Sequence, residues 1–87
     1  MKISKKIKVM DPKGLHLRVA AQLVLLVRKY KSNVFIQKGL GLVNARSVLC
    51  LLQLAVVFGA ELTFIFDGDD ALQALEAIQK FLGNKGA

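Results

Sequence analysis

The chain has 87 residues and is 54% apolar and 22% charged, which suits one small domain and excludes a disordered tail or low-complexity linker. A formal charge of +7 invites a nucleic-acid reading, but the chain has no Trp and one Tyr, and its lysines are dispersed and suit simple solubility. The charge is uneven: residues 1–46 hold eleven Lys/Arg against one Asp, and residues 47–87 hold two Lys against five acids.

In chain order, Ile3, Ile7 and Val9 share one parity while Ser4, Lys6 and Lys8 share the other, the pattern of a half-buried strand. Asp11-Pro12-Lys13-Gly14 ends it in a loop. A helix is predicted from Leu17 to Lys31, with Ala20, Leu23, Val24 and Val27 as its core stripe and Arg28, Lys29 and Lys31 in its last turn. A second apolar row, Leu17, Ala21 and Leu25, lies beside that stripe and is expected on the surface.

Val34-Phe35-Ile36-Gln37 and Leu42-Val43-Asn44 read as a hairpin around Gly39-Leu40-Gly41. Ser47 is placed to cap a short helix over 48–55. Leu51, Leu54 and Ala55 are expected inward, which leaves Val48, Leu49 and Leu52 pointing elsewhere. Leu62-Thr63-Phe64-Ile65-Phe66 is a strand. The Asp67–Asp70 turn is expected to supply a carboxylate cap to a helix from Ala71 to Leu82, stopped by Gly83. The order β-α-β-β-α-β-α predicts an α+β fold: a four-stranded, mainly antiparallel sheet with three helices on one face.

Cys50 is the single cysteine and His16 the single histidine, so a disulfide within the chain and a structural zinc site are both excluded. No cofactor or metal is expected. The longest apolar stretch, 48–60, is too short for a membrane span, and no signal peptide is recognisable, so a cytoplasmic protein is expected.

His16 stands at the start of the first helix, where free backbone N–H groups and partial positive charge favour an anion by about 0.3–1 kcal/mol. Imidazole is a nucleophile near neutral pH, and Arg18 has the planar fork that suits phosphate. Spacing alone still favours a loop histidine that only caps the helix.

Three longer segments change that balance. Gly14-Leu15-His16-Leu17-Arg18, followed by Ala20-Ala21-Gln22-Leu23-Val24, resembles the active-site segment of HPr, the histidine-containing phosphocarrier of the phosphoenolpyruvate-dependent phosphotransferase system. Val43-Asn44-Ala45-Arg46-Ser47-Val48-Leu49 and Gly59-Ala60-Glu61-Leu62 resemble two further segments of that family, in register over nearly the whole chain. The resemblance implies one HPr-like domain over residues 1–87, an open-faced β-sandwich that acts as a monomer.

It implies further that His16 accepts a phosphoryl group from phosphorylated Enzyme I on Nδ1 and passes it to a histidine of an EIIA-type domain. Arg18 would balance the phosphoryl charge. Leu17, Ala21 and Leu25, with Val48, Leu49 and Leu52, would match the docking face. Ser47 would match a regulatory serine, the target of a kinase/phosphorylase in some bacteria. The carrier is not itself an enzyme.

The sequence departs from the family pattern at Val19, where the family has Pro, at Lys13, where Asn or Ser is usual, and at Cys50, where Gly is usual. Two other readings stay open: a regulatory relative that binds a kinase or transcription factor through the same face, and a basic nucleic-acid-binding domain.

Overall fold

The computed structural model describes residues 1–84, so the last three positions of the expected 1–87 span lie outside the described residues. The elements are β1 (Lys2–Lys8), α1 (Leu17–Val27), β2 (Asn33–Lys38), β3 (Gly41–Asn44), α2 (Val48–Gln53), β4 (Glu61–Asp67) and α3 (Ala71–Phe81). The strands form one sheet in the order β1-β4-β2-β3, and every neighbouring pair is antiparallel. The expected architecture is the observed one.

Strand parity sets the two faces of the sheet. Ile3 pairs with Phe66, Ile7 with Leu62, and Val34 and Ile36 with Phe66 and Phe64, so these side chains share the face that meets the helices. Ile7, Val34, Ile36, Phe64 and Phe66 are all buried there. The Phe64 and Phe66 rings stack with centroids 6.0 Å apart, and truncating either to Ala removes about 3–5 kcal/mol. The other face carries Lys2, Ser4, Lys6 and Lys8, all exposed.

α1 buries the stripe its sequence announces: Ala20, Leu23, Val24 and Val27 are all inside, while Leu17 and Leu25 are each 63% exposed. It ends at Val27, four residues before the expected Lys31, so Arg28, Lys29 and Lys31 lie beyond it and not in its last turn. The reason is tertiary. The carbonyls of Tyr30 and Ser32 accept from the Arg46 guanidinium at 3.0 and 3.2 Å, and the N–H groups of Lys31 and Ser32 donate to the Asp70 carboxylate, each at 2.9 Å. Backbone groups satisfied that way have no need of further helix.

Two other expectations change. Asp70 occupies the N-cap position of α3 but makes no side-chain cap, because its carboxylate is taken by Lys31 and Ser32. In α2, Ser47 does cap, its Oγ accepting from the Cys50 N–H at 3.2 Å. That helix nevertheless ends at Gln53, and Ala55 is exposed with φ +52°, not inward. Its inward row is Val48, Leu51 and Leu52, an i, i+3, i+4 set, with Leu51 fully buried and the other two half-buried against the core; Leu54, just past the helix, is half-buried against the core as expected. Val48 and Leu52 therefore do not point away as expected; of the three residues so assigned, only Leu49 does, at 66% exposure.

Candidate functional site

The loop that carries His16 is built by its own sequence. Asp11-Pro12-Lys13-Gly14 closes a β-turn, with the Gly14 N–H donating to the Asp11 carbonyl at 2.8 Å. Asp at the first position, Pro at the second and Gly at the fourth are the residues such a turn favours. The Asp11 side chain is fixed within the turn as well, its Oδ1 accepting from the Lys13 N–H at 2.9 Å.

The turn is pressed against the segment that leads into β4. The Leu15 N–H donates to the Val56 carbonyl at 3.0 Å. Gly14 is buried at φ +71°, and a Cβ there would collide with the Val56 carbonyl oxygen and lie 2.8 Å from the Val57 Cα. Only glycine fits this approach. The result places His16 at the N-cap of α1 in extended backbone.

At that position the helix start is open. The first helical bond runs from the Ala20 N–H to the His16 carbonyl at 2.8 Å, and no side chain caps the helix. The N–H groups of Leu17, Arg18 and Val19 therefore have no partner among the described residues. The reading of His16 as a simple capping residue fails on this geometry.

The imidazole lies partly exposed, with its side chain 26% accessible. Its two nitrogens differ. Nε2 is closed off from solvent, makes no hydrogen bond, and has an Asp11 carboxylate oxygen 3.3 Å away. Nδ1 is not among the shut-in atoms. Arg18, in the first turn of α1, is exposed and makes no hydrogen bond or ion pair among the described residues. It borders a cleft of about 360 Å³ that Asp11, Pro12, Gln22 and Phe81 also line.

The expected docking residues are only partly gathered on the surface. Leu17, Leu25 and Leu49 are strongly exposed, Ala21 is half-buried, and Val48 and Leu52 are half-buried against the core. Helices α1 and α2 pack against each other. Sequence reasoning missed Val57 and Phe58, exposed at 68% and 54% in the segment that abuts the His16 loop. No periodic pattern marks them, because they stand outside any regular element. It also missed Asp11, although Asp-Pro-x-Gly is a legible turn signal with a carboxylate at a fixed place.

Among the described residues no cluster could hold a metal ion, and no helix is long and apolar enough to cross a membrane.

Comparison with known proteins adds a family. Residues 3–84 match the model described as "PTS HPr component phosphorylation site". The chain is 36% identical to the HPr-like protein Crh of Bacillus subtilis over 80 residues, 92% of this chain and 94% of that one. It is 30% identical to the phosphocarrier protein HPr of Treponema pallidum over 83 residues, 95% of this chain and 94% of that one. Among solved structures, phosphocarrier protein HPr of Bacillus anthracis superposes with a TM-score of 0.85 at 32% identity, covering 92% of this chain and 95% of that one.

Proposed function

The chain belongs to the HPr family, and from that premise we propose that it is a phosphocarrier whose His16 accepts a phosphoryl group on Nδ1 from phosphorylated Enzyme I and delivers it to an EIIA-type domain in the cytoplasm. The observation that carries this reading is the N-terminal end of α1. A nucleophilic ring stands where three backbone N–H groups are unused, with Nε2 shut in and Nδ1 not.

The chemistry follows from that arrangement. Phosphoryl oxygens approaching Nδ1 meet amide donors and the positive end of the helix dipole. Arg18 is exposed and uncommitted, so it can swing onto a phosphoryl oxygen and add a charge-assisted bond. The group is held by few contacts and stays transferable, as a carrier requires. The protein ends each cycle unchanged and is a transfer partner, not an enzyme.

Leu17, Ala21, Leu25 and Leu49 form the core of the partner surface in this reading, with Val57 and Phe58 beside the His16 loop and Val48 and Leu52 supporting from beneath. The exposed cations Lys13, Arg18 and Arg28 suit an acidic partner and speed the encounter. Ser47 is half-buried two residues before Leu49, so a kinase/phosphorylase acting there would place negative charge in the partner surface.

A second reading is favoured by the likeness to Crh: the same surface serves a regulatory partner outside transport. One experiment separates the two. Incubation with phosphoenolpyruvate and Enzyme I is expected to give an acid-labile, alkali-stable phosphate that is absent in His16→Ala. No labelling under conditions that label an ordinary HPr would contradict the carrier reading and leave the regulatory one. Salt-sensitive micromolar binding of DNA or RNA near physiological ionic strength would instead support the nucleic-acid reading.

A further inference from the structure

The site holds one polar atom whose state needs a cause. Nε2 of His16 is sealed from solvent and lacks a hydrogen bond, which native proteins rarely allow without a functional reason. The nearest acceptor is Oδ1 of Asp11, 3.3 Å away but out of line for a hydrogen bond in this conformation. That carboxylate does not wander, because the Lys13 N–H holds the same oxygen and the Asp11–Gly14 turn holds its backbone.

The proton on Nε2 follows from these contacts. Were Nε2 unprotonated, its lone pair would face a carboxylate oxygen at 3.3 Å with no water between them, two acceptors opposed. With the proton on Nε2, a donor faces an acceptor, and the neutral ring carries its lone pair on Nδ1. We infer that Asp11 is the positioning residue for phosphoryl transfer at His16, holding the proton on Nε2 so that Nδ1 is the nucleophile. The inference rests on the carrier reading and adds to it a residue outside the three matching segments.

The transfer step balances as follows. The Nδ1 lone pair forms a bond to phosphorus while the bond from phosphorus to the donor breaks, and the donor leaves with that electron pair. Nε2 keeps its proton throughout, so the ring gains one positive charge. The Asp11 carboxylate on the far side of the ring opposes that charge, and the contact closes into alignment as the charge develops. Onward delivery reverses each change. The logic is that of a carboxylate that orients a reacting imidazole and stabilises its charged form.

The test uses the full chain and two substitutions, Asp11→Asn and Asp11→Ser. Both retain an oxygen for the Lys13 N–H, and neither retains the charge. The His16 ring is read by nitrogen-15 chemical shifts in the free protein, and transfer is read as the rate of phosphoryl uptake from phosphorylated Enzyme I. The wild type is expected to hold the Nε2–H tautomer almost entirely. Asp11→Ser, whose shorter side chain withdraws the acceptor from Nε2, is expected to populate the Nδ1–H form, whereas Asp11→Asn keeps an acceptor there; both lack the charge and are expected to take up phosphoryl about tenfold more slowly, in keeping with losses on removing an orienting partner, with amide spectra otherwise unchanged. A tautomer balance equal to wild type in folded Asp11→Ser, or uptake equal to wild type in either folded variant, would overturn the role of Asp11. Failure of the wild type itself to take up phosphoryl would overturn the carrier reading instead; the tautomer measurement, made without Enzyme I, still decides whether Asp11 sets the proton.

Discussion

The two ends of α1 are opposites. At the N-terminal end three backbone donors, one ring nitrogen and the Arg18 guanidinium have no partner among the described residues. Just past the C-terminal end the groups are committed in a closed set: Arg46 binds the carbonyls of Tyr30 and Ser32, and Asp70 takes the N–H of Lys31 and both the N–H and hydroxyl of Ser32. Among the described residues Ser32 is the only polar side chain that is fully buried, and this set accounts for it. The helix is about 16 Å long at 1.5 Å per residue, so the locked end can bear on stability while the open end is left to chemistry.

The contrast predicts opposite phenotypes. Of the changes at these two ends, Arg46→Met is expected to have the largest effect on stability. It strands two carbonyls that accept from a charged donor, and the loss is about 2–3 kcal/mol, read as a lowered urea midpoint with His16 labelling retained. A variant that keeps full stability would show that the set is not an anchor.

Asp70→Asn tests the same end through pH. The Ser32 hydroxyl and then the Lys31 N–H hold the Asp70 carboxyl below its ordinary value of 3.8, with the Ser32 N–H helping and partial desolvation opposing. A carboxyl lowered on folding contributes stability that is present above its unfolded value and is lost as pH falls through the folded one. Wild type and Asp70→Asn are therefore expected to differ in stability at neutral pH and to converge as pH falls below 3.8. A constant difference across that range would contradict the assignment.

The open end gives the reverse pattern. Arg18→Ala and Leu17→Ser remove exposed side chains, so stability is expected to stay within about 0.5 kcal/mol while phosphoryl uptake slows. An unfolding shift of several kcal/mol would make Arg18 structural. The smallest effect belongs to Ala55, which sits at φ +52° just past α2. The left-handed conformation costs a non-glycine residue about 1–2 kcal/mol, and glycine's extra freedom in the unfolded chain offsets about 0.4–1 kcal/mol of that. Ala55→Gly is therefore expected to raise stability slightly, opposite in sign to the same change inside a helix.

These regions also show what a sequence can and cannot disclose. The α1 stripe, the strand parities and the Ser47 cap were legible because each depends on neighbours within a turn or two. The end of α1 was not, because Arg46 and Asp70 lie 14 to 39 residues from the groups they bind. The face of α2 was misread for a related reason. Residues 48–55 hold two overlapping i, i+3, i+4 sets; Leu51 and Leu54 do pack inward, but the packing adds Val48 and Leu52 and turns Ala55 out. His16 and Arg18 were found by their surroundings, whereas Asp11 became visible only when the turn placed its carboxylate beside the ring.

The ring of His16 offers Nδ1 and hides Nε2 at the open end of α1, and the proposed transfer depends on that geometry. Long-range nitrogen-15 and phosphorus-31 spectra of the protein phosphorylated through Enzyme I identify which nitrogen carries the group. The phosphoryl is expected on Nδ1, with the Nε2 proton retained and slowed in exchange. A phosphoryl group on Nε2, or on a residue other than His16, would contradict it.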